Sequence, residues 1–235
     1  MENKENFLKS RNPMQHRHEH HLLLCDLDGT LIDSREDLAA GVNLMRADYG
    51  LKPLPVETVT AYVGNGAKKL VERALKDFEV SHDEALEKFK KHYRDNMFVK
   101  TSLYPTVGEG LKILRGHGWK IALTSNKPSD KCEDILRHFK MDTYFDLVLG
   151  GSHKYPLKPE PESIMIAMKE TGANPNETWI IGDNHTDLEA GRRAGIKRCY
   201  ARYGFGHIGS EDFDMVVDSF MEFVEKVGKQ STSLR

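Results

Sequence analysis

From His21 onward, short apolar runs alternate with segments whose apolar residues recur every three or four positions. The runs occupy residues 22–27, 119–124, 145–149, 178–181, 197–201 and 215–217. Each is too short for a core helix and is predominantly apolar, the pattern of a strand buried on both faces. Helical patterns separate most of them. Thr106 and Glu109 have capping-box spacing ahead of Leu111, Ile113 and Leu114, and Pro161 and Gly172 mark the start and stop of another helix. Strands alternating with helices predict a doubly wound α/β fold, a parallel sheet with helices on both sides.

One interval breaks the alternation. Residues 34–102 carry helical patterns alone, punctuated by Pro53, Pro55, Gly64 and Gly66, with Ser81 and Glu84 capping the longest helix. An all-helical stretch of that size between the first and second strands predicts an inserted lid beyond the carboxyl end of strand one. The expected division is a core of 21–33 and 104–235, a helical lid of 34–103, and a solvated tail over 1–20. The tail holds His16, His18 and His20 in a polar context without apolar periodicity.

Composition narrows the partners. Lys plus Arg number 34 against 36 Asp plus Glu, a balance that gives no clustered positive field for nucleic acid or anionic lipid. No apolar run approaches the roughly 18 residues needed to span a bilayer, and the polar start does not resemble a secretory signal. Cys25, Cys132 and Cys199 lack metal-ligand spacing and read as reduced thiols. A cytoplasmic protein acting on a small molecule, without nucleic acid or membrane partners and as a monomer or homodimer, is the expectation.

Chemistry concentrates at the predicted strand ends. Asp26 and Asp28 follow the first run within DLDGT, and residues two apart on an extended segment point the same way. An acidic turn after a strand is the bland alternative. A second pair, Asp183 and Asp187, follows the run 178–181. If the four acids converge, each like-charge pair at ~4 Å costs about 4 kcal/mol at an effective dielectric near 20. That repulsion calls for a cation, and oxygen-only ligands suit Mg²⁺. Ser125 and Asn126 after the second strand, and Lys158 after the third, supply a hydroxyl, amides and an ammonium suited to phosphoryl oxygens. Read singly, Ser125 is better taken as a helix cap before Pro128 and Lys158 as a solvated loop lysine.

Taken together and in order, these residues resemble the four motifs of the haloacid dehalogenase superfamily over about residues 22–220. The resemblance implies a HAD-like Rossmannoid core with an inserted helical cap. It implies Asp26 as nucleophile, Asp28 as general acid and base, Ser125 with the Asn126 amide and Lys158 as the phosphoryl clamp, and Asp183 with Asp187 as metal ligands; with the convergence argued above, the expected Mg²⁺ site is Asp26, Asp28, Asp183 and Asp187. Within the superfamily the chain is similar to phosphoglycolate phosphatases on four stretches: DLDGTLIDS (26–34), VGNGA (63–67), SNKP (125–128) and KPEP (158–161). Gly150 and Gly151 fit as well. The chain departs from that pattern at Ser125, where Thr is usual, at Ser152–His153, and at Asn184-His185-Thr186 between the two acids.

The expected reaction is therefore Mg²⁺-dependent hydrolysis of a small phosphomonoester, 2-phosphoglycolate first, through an aspartyl phosphate. Asp28 would protonate the leaving oxygen and then deprotonate water. Inorganic pyrophosphatase, sugar-phosphate phosphatase and a β-phosphoglucomutase-like phosphomutase are the alternatives within enzymes, and a non-catalytic phosphate-binding module outside them. Thr30, in place of the valine common in such mutases, favours hydrolysis. Thr30 and Asn126 are candidate substrate contacts, as are Gly64, Asn65, Gly66 and Lys68 in the lid. There, free amides before a helix predicted over 67–78 could form an anion nest beside a leaving-group carboxylate. A tight interhelical turn is the bland alternative. The run Lys88, Lys90, Lys91 and Arg94 reads as a solvated helix face.

Overall fold

The computed structural model describes residues 21–152 and 154–232, so the polar tail and His153 lie outside the described residues. In chain order the elements are β1 (Leu22–Cys25), β2 (Ile32–Asp33), α1 (Arg35–Ala47), α2 (Val56–Thr60), α3 (Ala67–Ala74) and α4 (His82–Asn96). There follow β3 (Ser102–Leu103), α5 (Val107–Gly116), β4 (Lys120–Pro128), α6 (Ser129–His138), β5 (Leu147–Gly151) and α7 (Glu162–Thr171). The chain continues through β6 (Thr178–Gly182), α8 (His185–Ala194), β7 (Lys197–Ala201), β8 (Met215–Val217) and α9 (Phe220–Thr232).

All six apolar runs are strands of one parallel sheet, ordered β5-β4-β1-β6-β7-β8. β1 lies at its centre, with Leu22 paired to Lys120 on one side and Thr178 on the other. Alternation along β1 splits the core in two. Leu23 and Cys25 join the layer with Leu111, Phe220 and Phe223 of α5 and α9, whereas Leu22 and Leu24 join Ile164, Ala167 and Ala190 of α7 and α8. Every side chain of β1 is inaccessible to solvent, which is why the run is apolar at every position rather than at alternate ones.

The chain leaves β1, builds the lid from α1–α4, and returns to β4 beside β1. Both crossings pass through a two-stranded antiparallel ribbon in which Ile32 pairs with Leu103 and Asp33 with Ser102. Strands of two residues carry no readable periodicity, and the sequence reading contained neither. Asp37, in the first turn of α1, secures the return crossing by accepting hydrogen bonds from the amides of Lys100 and Thr101 and from Thr101 Oγ1, at 2.7–3.0 Å. Buried residues on α4 follow a four-residue step, Ala85, Phe89 and Tyr93, and this stripe packs on α1. Gly41 makes the approach close: a Cβ there would meet Tyr93 at 3.2 Å.

Two helix readings need correction. Ser81 accepts from the Glu84 amide as expected, and Pro161 and Gly172 flank α7. Thr106 makes no side-chain cap: its backbone is left-handed, at φ 67°, and its Oγ1 instead accepts from the Met221 amide of α9. A tertiary contact has replaced the local one. The helix predicted over 67–78 ends at Ala74, and the chain turns before Phe78.

Candidate active site

The carboxyl ends of β1, β4 and β6 open on one edge of the sheet, where chain direction switches sides, the place at which open α/β sheets bind ligands. The lid covers this edge and encloses a cavity of about 670 Å³. Asp26, Asp28, Ser125, Asn126, Lys158 and Asp183 line its floor, and Gly64, Asn65, Gly66 and Lys68 its roof.

Asp26 continues the β1 ladder, its amide donating to Ile181 O at 3.0 Å. The chain then turns sharply at Gly29, with φ 88°, and a Cβ there would fall 1.8 Å from Asp183 Oδ2. Only glycine lets this turn pass so near a carboxylate. Oxygens of Asp26, Asp183 and Asp187 all lie within 4.8 Å of one another, and all three residues are buried. Lys158, whose side chain is 2% exposed, reaches into this cluster. Its Nζ donates to Asp26 Oδ1 at 2.8 Å, Asp187 Oδ1 at 2.6 Å and Thr124 O at 2.7 Å.

One ammonium among three carboxylates leaves surplus negative charge. Burial, only partly offset by Lys158, pushes the Asp26 carboxyl up to about 6, and burial with the neighbouring Asp26 and Asp187 holds Asp183 well above the usual carboxylate range. This holds although Asp183 Oδ2 accepts from the amides of Phe205 and Gly206 at 3.0 and 2.7 Å. A buried all-oxygen donor set short of positive charge fits a hard divalent cation.

Asp28 behaves differently. It lines the cavity as Asp26 does, yet its carboxylate is not part of the three-acid cluster. Ser34 Oγ donates to its Oδ1 at 2.6 Å, and Lys127 Nζ lies 3.0 and 2.9 Å from its two oxygens. The structure thus brings together three of the four expected metal ligands and pairs the fourth with a lysine.

The remaining candidates divide as well. Asn126 is fully engaged: its Nδ2 donates to Gly64 O and Lys158 O, and its Oδ1 accepts from the Lys158 amide, each at 2.8 Å. Ser125 Oγ faces the cavity and accepts a long bond of 3.4 Å from the Lys127 amide. Gly64 and Gly66 adopt positive φ, 117° and 84°, and Gly66 stands at the N-terminus of α3. Asn65 Oδ1 is taken by Arg73. Thr30 is wholly buried and off the cavity wall, its Oγ1 without a partner among the described residues. Lys90 and Arg94 also line the cavity, so the basic run on α4 is only in part a solvent face. Asn184, the first of the unusual residues between the acids, caps α8, and its side chain lies against Gly64 of the lid.

Three participants escaped the sequence reading. Lys127 stood inside the quoted SNKP stretch, Ser34 closed DLDGTLIDS, and the Phe205–Gly206 amides follow β7 in a glycine-rich turn. For Lys127 the available signal was its place three residues past the apolar run 119–124, directly after the Ser125-Asn126 pair already singled out.

Residues 23–201 match the model of the haloacid dehalogenase-like hydrolase family, and the chain belongs to that family. It is similar to the phosphoglycolate phosphatase of Aquifex aeolicus, at 35% identity over 87% of this chain and 95% of that protein. It is likewise similar to the phosphoglycolate phosphatase of Nitrosospira multiformis, at 33% over 89% and 96%. A crystal structure from Haemophilus somnus, described as a predicted phosphoglycolate phosphatase, superposes with a TM-score of 0.84 at 30% identity, covering 88% of this chain and 98% of that one. The protein is therefore a phosphatase of the haloacid dehalogenase-like class, similar to phosphoglycolate phosphatases. Among the described residues, no helix is long and apolar enough to cross a membrane.

Proposed function

We propose that the protein hydrolyses a small phosphomonoester, 2-phosphoglycolate foremost, through an aspartyl phosphate on Asp26. The observation that carries this reading is the buried cluster of Asp26, Asp183 and Asp187 around Lys158 on the cavity floor. Curated phosphoglycolate phosphatases that match the chain along most of their length support the substrate.

Mg²⁺ held by Asp26, Asp183 and Asp187 would supply the positive charge the cluster lacks and offset the charge of a phosphoryl group. Asp26 attacks phosphorus, forming the carboxyl–phosphate bond as the bond to the leaving oxygen breaks. Lys158 and the Ser125 hydroxyl donate to the phosphoryl oxygens and fix the line of attack. Asp28 donates a proton to the leaving oxygen and then takes one from the water that opens the aspartyl phosphate. The lid excludes bulk water, and Gly64, Gly66 and Lys68 offer amides and a cation to a leaving group bearing a carboxylate.

Phosphate release from a panel of phosphometabolites, with Mg²⁺ and with a chelator, tests this. The expected result is Mg²⁺-dependent release with the highest kcat/KM on 2-phosphoglycolate. Undiminished activity after complete chelation would overturn the metal role. Preference for pyrophosphate or a sugar phosphate would overturn the substrate, and an isomerised product without free phosphate would show a mutase.

A further inference from the structure

Lys127 ends the run Ser125-Asn126-Lys127 on β4, and its side chain is 5% exposed. An ammonium so buried costs several kcal/mol unless it is paired. Its partner is Asp28, whose two oxygens it reaches at 2.9 and 3.0 Å, while Ser34 Oγ holds one of them at 2.6 Å. A carboxylate gripped from two directions has little freedom to turn. The Tyr93 ring of the lid helix α4 lies 4.7 Å from the same ammonium, a cation–π contact. The lid therefore touches the cation that holds Asp28. The preceding residue behaves in parallel, since Asn126 binds Gly64 O of the lid and both backbone groups of Lys158. Two consecutive side chains at one strand end thus join the lid to two different groups on the cavity floor.

We propose that Lys127 is a positioning residue for hydrolysis: it sets the direction of the Asp28 carboxylate and, through Tyr93, makes that direction depend on the lid being in place. The inference rests on the reading of Asp28 as the group that moves the proton. Proton transfer needs the carboxyl within hydrogen-bond reach of the leaving oxygen, so an Asp28 free to rotate loses rate without losing substrate affinity. The loss depends on the leaving group. An alkoxide must be protonated as it departs, whereas p-nitrophenolate departs unaided.

The test compares kcat and KM of the full chain with Mg²⁺ on two substrates, an alkyl phosphomonoester that the wild type hydrolyses and p-nitrophenyl phosphate. The variants are Asp28→Asn, Lys127→Met, their double combination, Tyr93→Leu and Tyr93→Phe. Lys127→Met is expected to lower kcat/KM, which reports transfer to Asp26 and not the later hydrolysis common to both substrates, roughly 10- to 100-fold more on the alkyl ester than on p-nitrophenyl phosphate. The double variant should be no slower than Asp28→Asn alone, because Lys127 acts through Asp28. Tyr93→Leu should show the same substrate dependence at smaller size, and Tyr93→Phe should restore the wild-type ratio.

Equal loss of kcat/KM on both substrates for Lys127→Met, or a double variant well below Asp28→Asn, would overturn the proposal. Equal loss for Tyr93→Leu would overturn its lid half. If Lys127→Met does not fold, the double variant decides, since it buries no unpaired charge. Asp28→Asn separates the two levels: absence of leaving-group dependence there sinks the proton-transfer reading itself, whereas its presence without any in Lys127→Met sinks this proposal alone.

Discussion

Asp26 and Asp28 are two residues apart on one strand end, and their surroundings are electrostatic opposites. Asp26 shares one lysine with two other buried acids. Asp28 has a lysine of its own and a serine hydroxyl besides. The first neighbourhood is short of positive charge and the second is balanced. The same side chain is therefore held in tension at one position, awaiting a cation and a phosphoryl group, and held in place at the other. Burial alone does not decide this, because both lysines are nearly inaccessible. The count of acids around each lysine decides it.

Four experiments break or sharpen the contrast. The largest effect belongs to the nucleophile: Asp26→Asn should reduce turnover by roughly 10⁴-fold or more, with circular dichroism unchanged and phosphate release as the measurement. Next is the response to Mg²⁺. A chelated sample should regain several degrees of Tm when saturating Mg²⁺ is added, since a ligand that binds only the folded state stabilises it. Asp183→Asn should lose most of that shift, and Asp28→Asn should retain it.

The third experiment asks for opposite signs. In chelator at pH 7, Asp183→Asn removes a like charge and should raise unfolding stability by about 1 kcal/mol, whereas Asp28→Asn strands Lys127 and should lower it by about 2 kcal/mol. Urea unfolding measures both, and equal signs would erase the distinction between the neighbourhoods.

The smallest effect uses a balanced acid far from the cavity. Burial pushes the Asp146 carboxyl up, but the Ile121 amide and the ion pairs with Lys120 and Arg115 outweigh it, so the group titrates below its ordinary value. A depressed carboxyl stabilises the fold above its unfolded pKa, and that stability is lost as pH falls through the folded value. Asp146→Asn should therefore cost about 1 kcal/mol at pH 7 and progressively less below about pH 4. A cost independent of pH would mean that its charge contributes nothing.

The sequence alone determined the six core strands, the helical insert, and the placing of Asp26, Ser125, Lys158 and Asp183 on one edge. These follow from local rules: an apolar run buried on both faces is a strand, and parallel strands present their carboxyl ends together. Only the tertiary structure decided which carboxylates share a cluster. Asp28 was grouped with the metal acids on sequence spacing, but its partner, Lys127, lies 99 positions away. Lys158 likewise meets Asp26 across 132 positions. The Thr106 cap was lost to α9, 115 positions on. No periodicity reaches so far, because such contacts are set by how whole elements pack against one another within the core.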